Sequence, residues 1–231
     1  MLTSGRAAAD LYVGDQPAGG DAAFAAGVPA GVIVTGSGTI VGSADPHQPW
    51  VVDGTVRGDA PESPIVIGGF TIGAGSFDNV EFAGVYSPGH SPALVTVGSV
   101  IYTASNVLEM ELGGLLPGSQ HDKIVHTGLS AAGGTLDVVL INAFTPAAGN
   151  VFDLFDWNAG VLGSFATVNL PALNVGLSWD ASDLYAGGTL AVTAVPEASP
   201  ALLWSGLAVA AAGAATTRRL AVRRRRRAAA R

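Results

Sequence analysis

From Gly31 onward the chain is built from short apolar runs, rich in valine, isoleucine and threonine, that are closed again and again by glycine: GVIVTGSGTIVG (31–42), WVVDGTVRG (50–58) and IVIGGFTIGAGSFDNVEFAG (65–84). Runs of four to six β-branched residues between glycines favour strands, and each glycine ends a strand before it can lengthen. No stretch before residue 199 carries a helical period of 3.6, so an all-β body is expected. The 32 glycines and 13 prolines among 231 residues supply the turns, and 48% hydrophobic residues with only 13% charged exclude a disordered polymer.

Further along, the period of two becomes plain. In VLEMELGG, Leu108, Met110 and Leu112 share one side while Glu109 and Glu111 share the other. In GGTLDVVLINAF, Leu136, Val138 and Leu140 lie opposite Asp137, and in GGTLAVTAV, Leu190, Val192 and Ala194 alternate with Thr189, Ala191 and Thr193. Half-buried strands of this length fit a sandwich, a barrel or a solenoid. The strand groups recur at roughly 20–25 residues, within the range of solenoid coils. Residues 1–30 are rich in Ala, Gly and Asp with weak periodicity, a partial first coil or a ragged end.

Charge divides the chain sharply. Before residue 196 only Arg6, Arg57 and Lys123 are basic, against 17 carboxylates; from Pro196 onward there are eight arginines and one glutamate. The body repels nucleic acid and anionic phospholipid, which excludes nucleic acid as its partner, while the tail is drawn to an anionic membrane leaflet. With no cysteine, disulfides, thiolate metal sites and a cysteine nucleophile are excluded.

Five groups of residues invite a chemical reading, and plain readings serve each better. Gly89-His90-Ser91-Pro92 imitates a nucleophile elbow, but Pro92 has no N–H to give an oxyanion hole, so a turn is expected. Glu109 and Glu111 could flank a glycosidic bond, yet acids at i and i+2 also make the solvated side of a strand. His121 and His126, five apart, fall on opposite sides of a strand and share no metal, with Asp122 a turn residue before IVHTG. GAGSFDN (73–79) is a glycine-rich corner rather than a calcium repeat, and Trp50, Trp157 and Trp179 are core or cap aromatics. The expectation is no catalytic residue, no metal and no cofactor.

The stretch GVYSPGHSPALVTVGSVIYTASNVLEMELGGLLPGSQHDKIVHTG (84–128) resembles the autotransporter-associated β-strand region: a Ser-Pro-Gly-x-Ser-Pro turn, then an acidic strand and a second strand introduced by Asp. The likeness covers roughly residues 31–194 and is densest over 84–194. It implies a right-handed parallel β-helix body over 31–194, whose coils stack their side chains into one core. No outer-membrane barrel follows, so the likeness is one of fold and not of export route.

The C-terminal segment 195–231 has three parts in order. Val195-Pro196-Glu197 comes first, with Ala198 after it. An uncharged run from Pro200 to Thr217 follows, 18 residues that as a helix would span about 27 Å, close to a bilayer's hydrocarbon core. Arg218, Arg219, Arg223, Arg224, Arg225, Arg226 and Arg227 close it, placing that end in the cytoplasm and the body outside. This order resembles the PEP-CTERM sorting signal of exopolysaccharide-producing Gram-negative bacteria, with Ala198 where the motif's last proline stands. The resemblance implies a single C-terminal transmembrane helix, recognition by an exosortase (a membrane-embedded cysteine transpeptidase), and cleavage near the motif. The expected product is a non-enzymatic exported surface or extracellular-matrix protein, held transiently at the inner membrane, with exopolysaccharide or biofilm as its surroundings. The alternatives are an envelope-tethered β-helix enzyme acting on carbohydrate, and an uncleaved tail-anchored adhesin. In MLTSGRAAADLYVGDQ, Asp10 and Asp15 interrupt any apolar run that could serve as a signal peptide, so an export signal is expected upstream of Met1.

Overall fold

In the computed structural model, residues 11–12, 27–42 and 45–196 are described. The first strands are β1 (Leu11–Tyr12), β2 (Gly27–Val28) and β3 (Ile33–Gly36), of which β1 and β2 precede Gly31. Three more follow in β4 (Gly38–Val41), β5 (Trp50–Val52) and β6 (Thr55–Gly58), and again in β7 (Ile65–Gly68), β8 (Phe70–Gly73) and β9 (Ser76–Asp78). The next coil holds β10 (Val80–Phe82), β11 (Val85–Pro88) and β12 (Leu94–Val97), and the one after it β13 (Val100–Tyr102), β14 (Val107–Leu112) and β15 (Lys123–His126). Then come β16 (Ser130–Ala132), β17 (Thr135–Leu140), β18 (Val151–Asp153) and β19 (Phe155–Trp157). The last are β20 (Val161–Gly163), β21 (Thr167–Asn169), β22 (Leu177–Asp180) and β23 (Thr189–Ala194).

Strands three apart in this order lie side by side, or four apart where β18 intervenes (β15–β19, β16–β20 and β17–β21). The first face runs β1-β4-β7-β10-β13-β16-β20 and the second β2-β5-β8-β11-β14-β17-β21, every pair parallel. The third face consists of β3-β6-β9 and β12-β15-β19, also parallel, and the Gly98 N–H donates to the Phe77 carbonyl (2.7 Å) where the two triplets meet. The body is all-β, a β-helix-like solenoid with three faces. The alternation expected for 107–112, 135–140 and 189–194 holds except at two strand ends: Leu108, Met110, Leu112, Leu136, Val138, Leu190 and Val192 are buried and Glu109, Glu111 and Asp137 turn outward, whereas Leu140 is only half-buried and Ala194, the last residue of β23, is exposed.

Coil length is less regular than the expected 20–25 residues. Register partners on the first face stand as close as Ile65 and Val80, and as far apart as Ser130 and Val161. Pairing fixes only the strands, so extra residues collect in corner loops such as 113–122 and 141–150, where lengthening costs little.

Inside, aromatic rings from successive coils form a column. Phe77 meets Phe82 edge-on at 5.0 Å, Phe82 stacks on Tyr86 at 4.4 Å and on Tyr102 at 5.7 Å. The column continues from Tyr102 to Phe165 at 6.0 Å and from Phe165 to Tyr185 at 6.2 Å. Its far end is closed by the loop 181–188 and a sheet ordered β18-β23-β22, in which β18 and β23 are antiparallel. Leu184 is buried there, the Trp157 Nε1–H donates to the Leu184 carbonyl (3.0 Å), and the Tyr185 hydroxyl accepts the Phe165 N–H (2.9 Å). Such a cap keeps the last coil's core from water.

The chain divides after Thr193, and of the part beginning at Ala194 only Ala194–Pro196 belong to the described residues. No helix among the described residues is long and apolar enough to cross a membrane. The expected membrane helix at 200–217 and the arginines beyond it lie outside the described residues.

Coils approach closely at Gly84, between β10 and β11, where a Cβ would stand 2.0 Å from the Gly69 carbonyl oxygen. At Gly68 a Cβ would meet nothing closer than 3.9 Å. Gly84→Ala is therefore expected to cost about 2–4 kcal/mol by forcing two coils apart, and Gly68→Ala under about 1 kcal/mol. Urea unfolding of the two variants measures this, and equal losses would contradict the close stacking.

Candidate functional site

The segment expected to serve as a sorting motif begins where β23 stops. β23 ends at Ala194; Val195 follows at 50% exposure, and Pro196, also exposed, is the last described residue. Glu197 and Ala198, together with Arg218, Arg219 and Arg223–Arg227, lie outside the described residues.

The segment 89–92 after β11 is a turn that clips coils together. The Gly89 N–H donates to the Gly73 carbonyl (2.8 Å), and the Gly73 N–H returns a bond to Gly89 O (2.9 Å). On one side His90 Nε2 lies 2.8 Å from Asp53 Oδ1; on the other the Ser91 hydroxyl donates to Glu111 Oε2 at 3.0 Å. Gly89 takes φ +78° and Ser91 φ +109° to make both reaches. Ser91 is thus hydrogen-bonded to a carboxylate and the His90 Nε2 to another, and Pro92 leaves no N–H for an oxyanion.

Glu109 and Glu111 share the outer side of the second face with Asp137, which is in register with Glu109. They are half-buried rather than freely solvated. The Ser87 hydroxyl donates to Glu109 Oε1 (3.2 Å); burial pushes the Glu109 carboxyl above its ordinary value, and the Glu111 and Asp137 charges add to the rise against that bond.

Asp122 departs from the plain turn residue expected. It does precede β15, but its carboxylate is fully buried and accepts the Ala93 N–H (2.7 Å) and the Glu111 N–H (2.7 Å). It thereby ties the loop 113–122 to two coils. Burial pushes it up to about 7, with the Glu111 and Glu109 charges adding to the rise and the two N–H bonds opposing it.

The histidines also differ from expectation. Alternation would turn one outward, yet both are buried, because His121 lies before β15 and escapes its period. His121 Nδ1 faces Gly114 O (3.1 Å) and Nε2 faces Asp153 O (3.3 Å); burial holds it below its ordinary value. His126 sits in the core, 3.0 Å from the Tyr102 hydroxyl and stacked on Trp157 at 4.1 Å, and burial pushes it down to about 3. Among the described residues no group of three or more His, Asp or Glu could hold a metal. Trp50 is core and Trp157 and Trp179 pack against the core, while of GAGSFDN only 74–75 form a corner, Gly73 ending β8 and Ser76–Asp78 being β9.

No family model, no curated protein and no solved structure matches the chain.

Local patterns locate the acids and the turn, but not Asp122. Its partner Ala93 stands 29 residues away and Glu111 stands 11 away, so only the stacking brings them together.

Two buried groups pull the pH dependence of stability in opposite directions. His126 is neutral in the fold down to about pH 3, whereas the unfolded chain protonates it near 6.5, so its contribution is lost as pH falls below about 6.5. Asp122 is protonated in the fold below about 7, whereas the unfolded chain holds that proton only below about 3.8, so its contribution is lost as pH rises towards 7. Between pH 4 and 6.5, His126→Phe should tilt the stability profile towards acid, and Asp122→Asn towards base, each by about 1.4 kcal/mol per pH unit. Denaturant unfolding at stepped pH reads both slopes, and tilts of the same sign would contradict the two burials.

Proposed function

We propose that this chain is a non-enzymatic, exported surface or extracellular-matrix protein, sorted by an exosortase through its C-terminal signal. The observation that carries this is the order of parts at the end of the body: β23 stops at Ala194, Val195-Pro196-Glu197 follows at once, and the uncharged run 200–217 and the arginines complete the tail. A processing enzyme needs an extended, accessible substrate, and Val195 and Pro196 are exposed past the last strand. In this reading the run 200–217 spans the inner membrane as a helix, the arginines stay in the cytoplasm, and the body stands outside. The coil winds right-handed, the hand that nearly all parallel strand crossovers take. A closed solenoid without disulfides suits display outside the cell, where stacked coils supply the stability. Exopolysaccharide is the matrix in which such a body would act.

One observation favours a second reading, an envelope-tethered enzyme acting on carbohydrate: Glu109, Glu111 and Asp137 share one outer surface, with the Glu109 carboxyl raised. Against it, Arg57 and Lys123, the basic residues of the described body, are engaged with Asp78 and with Asp153 and Asp156, leaving none beside that row.

In a host that carries the sorting enzyme, the double variant Pro196→Ala/Glu197→Ala is expected to remain uncleaved in the inner-membrane fraction while the parent chain reaches the surface. Fractionation and immunoblotting read the outcome. Unchanged processing and display of the variant would overturn the sorting function.

A further inference from the structure

The outer side of the first face carries a row that changes character along the solenoid. Val66, Glu81, Ile101, Ala131 and Leu162 are in register from coil to coil. Their neighbours along each strand, such as Ile67, Val80, Phe82, Val100 and Tyr102, are buried, so this row faces outward. Beyond Glu81 the row is apolar, and large side chains are left in solvent: Ile101 is 37% exposed, Leu162 58%, and Leu129 beside them 50%. Here the surface opens into a cleft of about 210 Å³, floored by Ile101, Leu129 and Leu162 and walled by Pro61 and Pro64, with Asn79 among its few polar groups. Exposed aliphatic side chains gathered around a concavity of this kind mark an interaction site.

The rim gives the occupant its charge. The loop that brings Pro61 and Pro64 to the cleft also carries Asp59 and Glu62, both exposed, and Glu81 sits in register beside Ile101. Arg57 pairs with Asp78 at 3.5 Å, and Lys123 with Asp153 at 2.6 Å and Asp156 at 3.0 Å. Among the described residues, then, no basic side chain pairs with Asp59, Glu62 or Glu81. An anionic lipid surface or an acidic polymer is repelled by such a rim, and the lining has no aromatic ring on which a sugar could stack. What remains complementary is an aliphatic side chain flanked by positive charge.

We propose that this cleft docks a partner polypeptide segment in which an aliphatic side chain is flanked by lysine or arginine. The aliphatic group fills the floor between Ile101, Leu129 and Leu162, and the flanking cations face Glu62 and Glu81. The site is independent of sorting, because it is built entirely from residues 59–162.

The test is fluorescence anisotropy of the full chain with a labelled Gly-Lys-Leu-Lys-Gly peptide, compared with peptides carrying Glu for Lys or Ser for Leu. The Lys-Leu-Lys peptide should bind, its affinity should fall with salt, and both control peptides should bind at least about tenfold more weakly. Leu129→Ser/Leu162→Ser, exposed positions whose loss spares the core, should weaken binding about tenfold. Glu62→Gln/Glu81→Gln should weaken it and flatten the salt dependence. No binding at millimolar peptide overturns the proposal. So does equal binding of either control peptide, or binding untouched by both double variants.

Discussion

Parallel pairing between strands one coil apart is the constraint on which the rest of this molecule depends. A strand of three to six residues cannot bury its backbone alone, and most of those here draw their hydrogen bonds from a neighbour one coil back and another one coil on. Once that pairing is set, alternation decides the rest. Every second side chain enters the core column, and the others make the outer rows on which Glu109, Glu111 and Asp137 or Ile101 and Leu162 stand. Changing the register of one coil by a single residue would exchange core and surface along it.

Side chains reinforce this pairing where the coils turn. The 89–92 turn reaches back to Asp53 and forward to Glu111, and Asp122 holds Ala93 and Glu111 through their N–H groups. Polar groups that imitate catalytic parts in the one-dimensional sequence are here used to join coils. Burial keeps His126 neutral within the aromatic column, where it behaves as a ring among rings. The solenoid ends at a built cap, Leu184 and Tyr185 over Trp157 and Phe165, and the motif Val195-Pro196 comes directly after the strand that completes it.

The all-β character was legible in the glycine-closed runs, and most inward residues of 107–112, 135–140 and 189–194 in their period of two, though not at the strand ends Leu140 and Ala194. The choice of a stacked solenoid over a sandwich or barrel was not, because period two is the same in all three. The expectation of a solenoid came from the recurrence of strand groups at roughly 20–25 residues and from a resemblance that no family model matches. The unequal coil lengths hid the three-strand rhythm, and the antiparallel β18–β23 pair left no local signal. Long-range partners were out of reach as well: nothing near Asp122 announces a carboxylate buried between Ala93 and Glu111, and His121 defied alternation by lying just outside its strand. The acid-rimmed apolar cleft was illegible for the same reason, since Glu62, Glu81, Ile101, Leu129 and Leu162 come from different coils.

The proposed function rests on the junction between an all-β body and a tail of a different chemistry. Among the described residues the core is closed by β23 and the cap before it, and in the proposed function the segment from Val195 onward serves as an address. The most direct measurement is the intact mass of the protein recovered from the surface of a host that carries the sorting enzyme. A mass short of the full chain by the apolar run and the arginines, with the new end near Val195-Pro196-Glu197, is the expected result. A surface protein whose mass still includes Arg231 would contradict it.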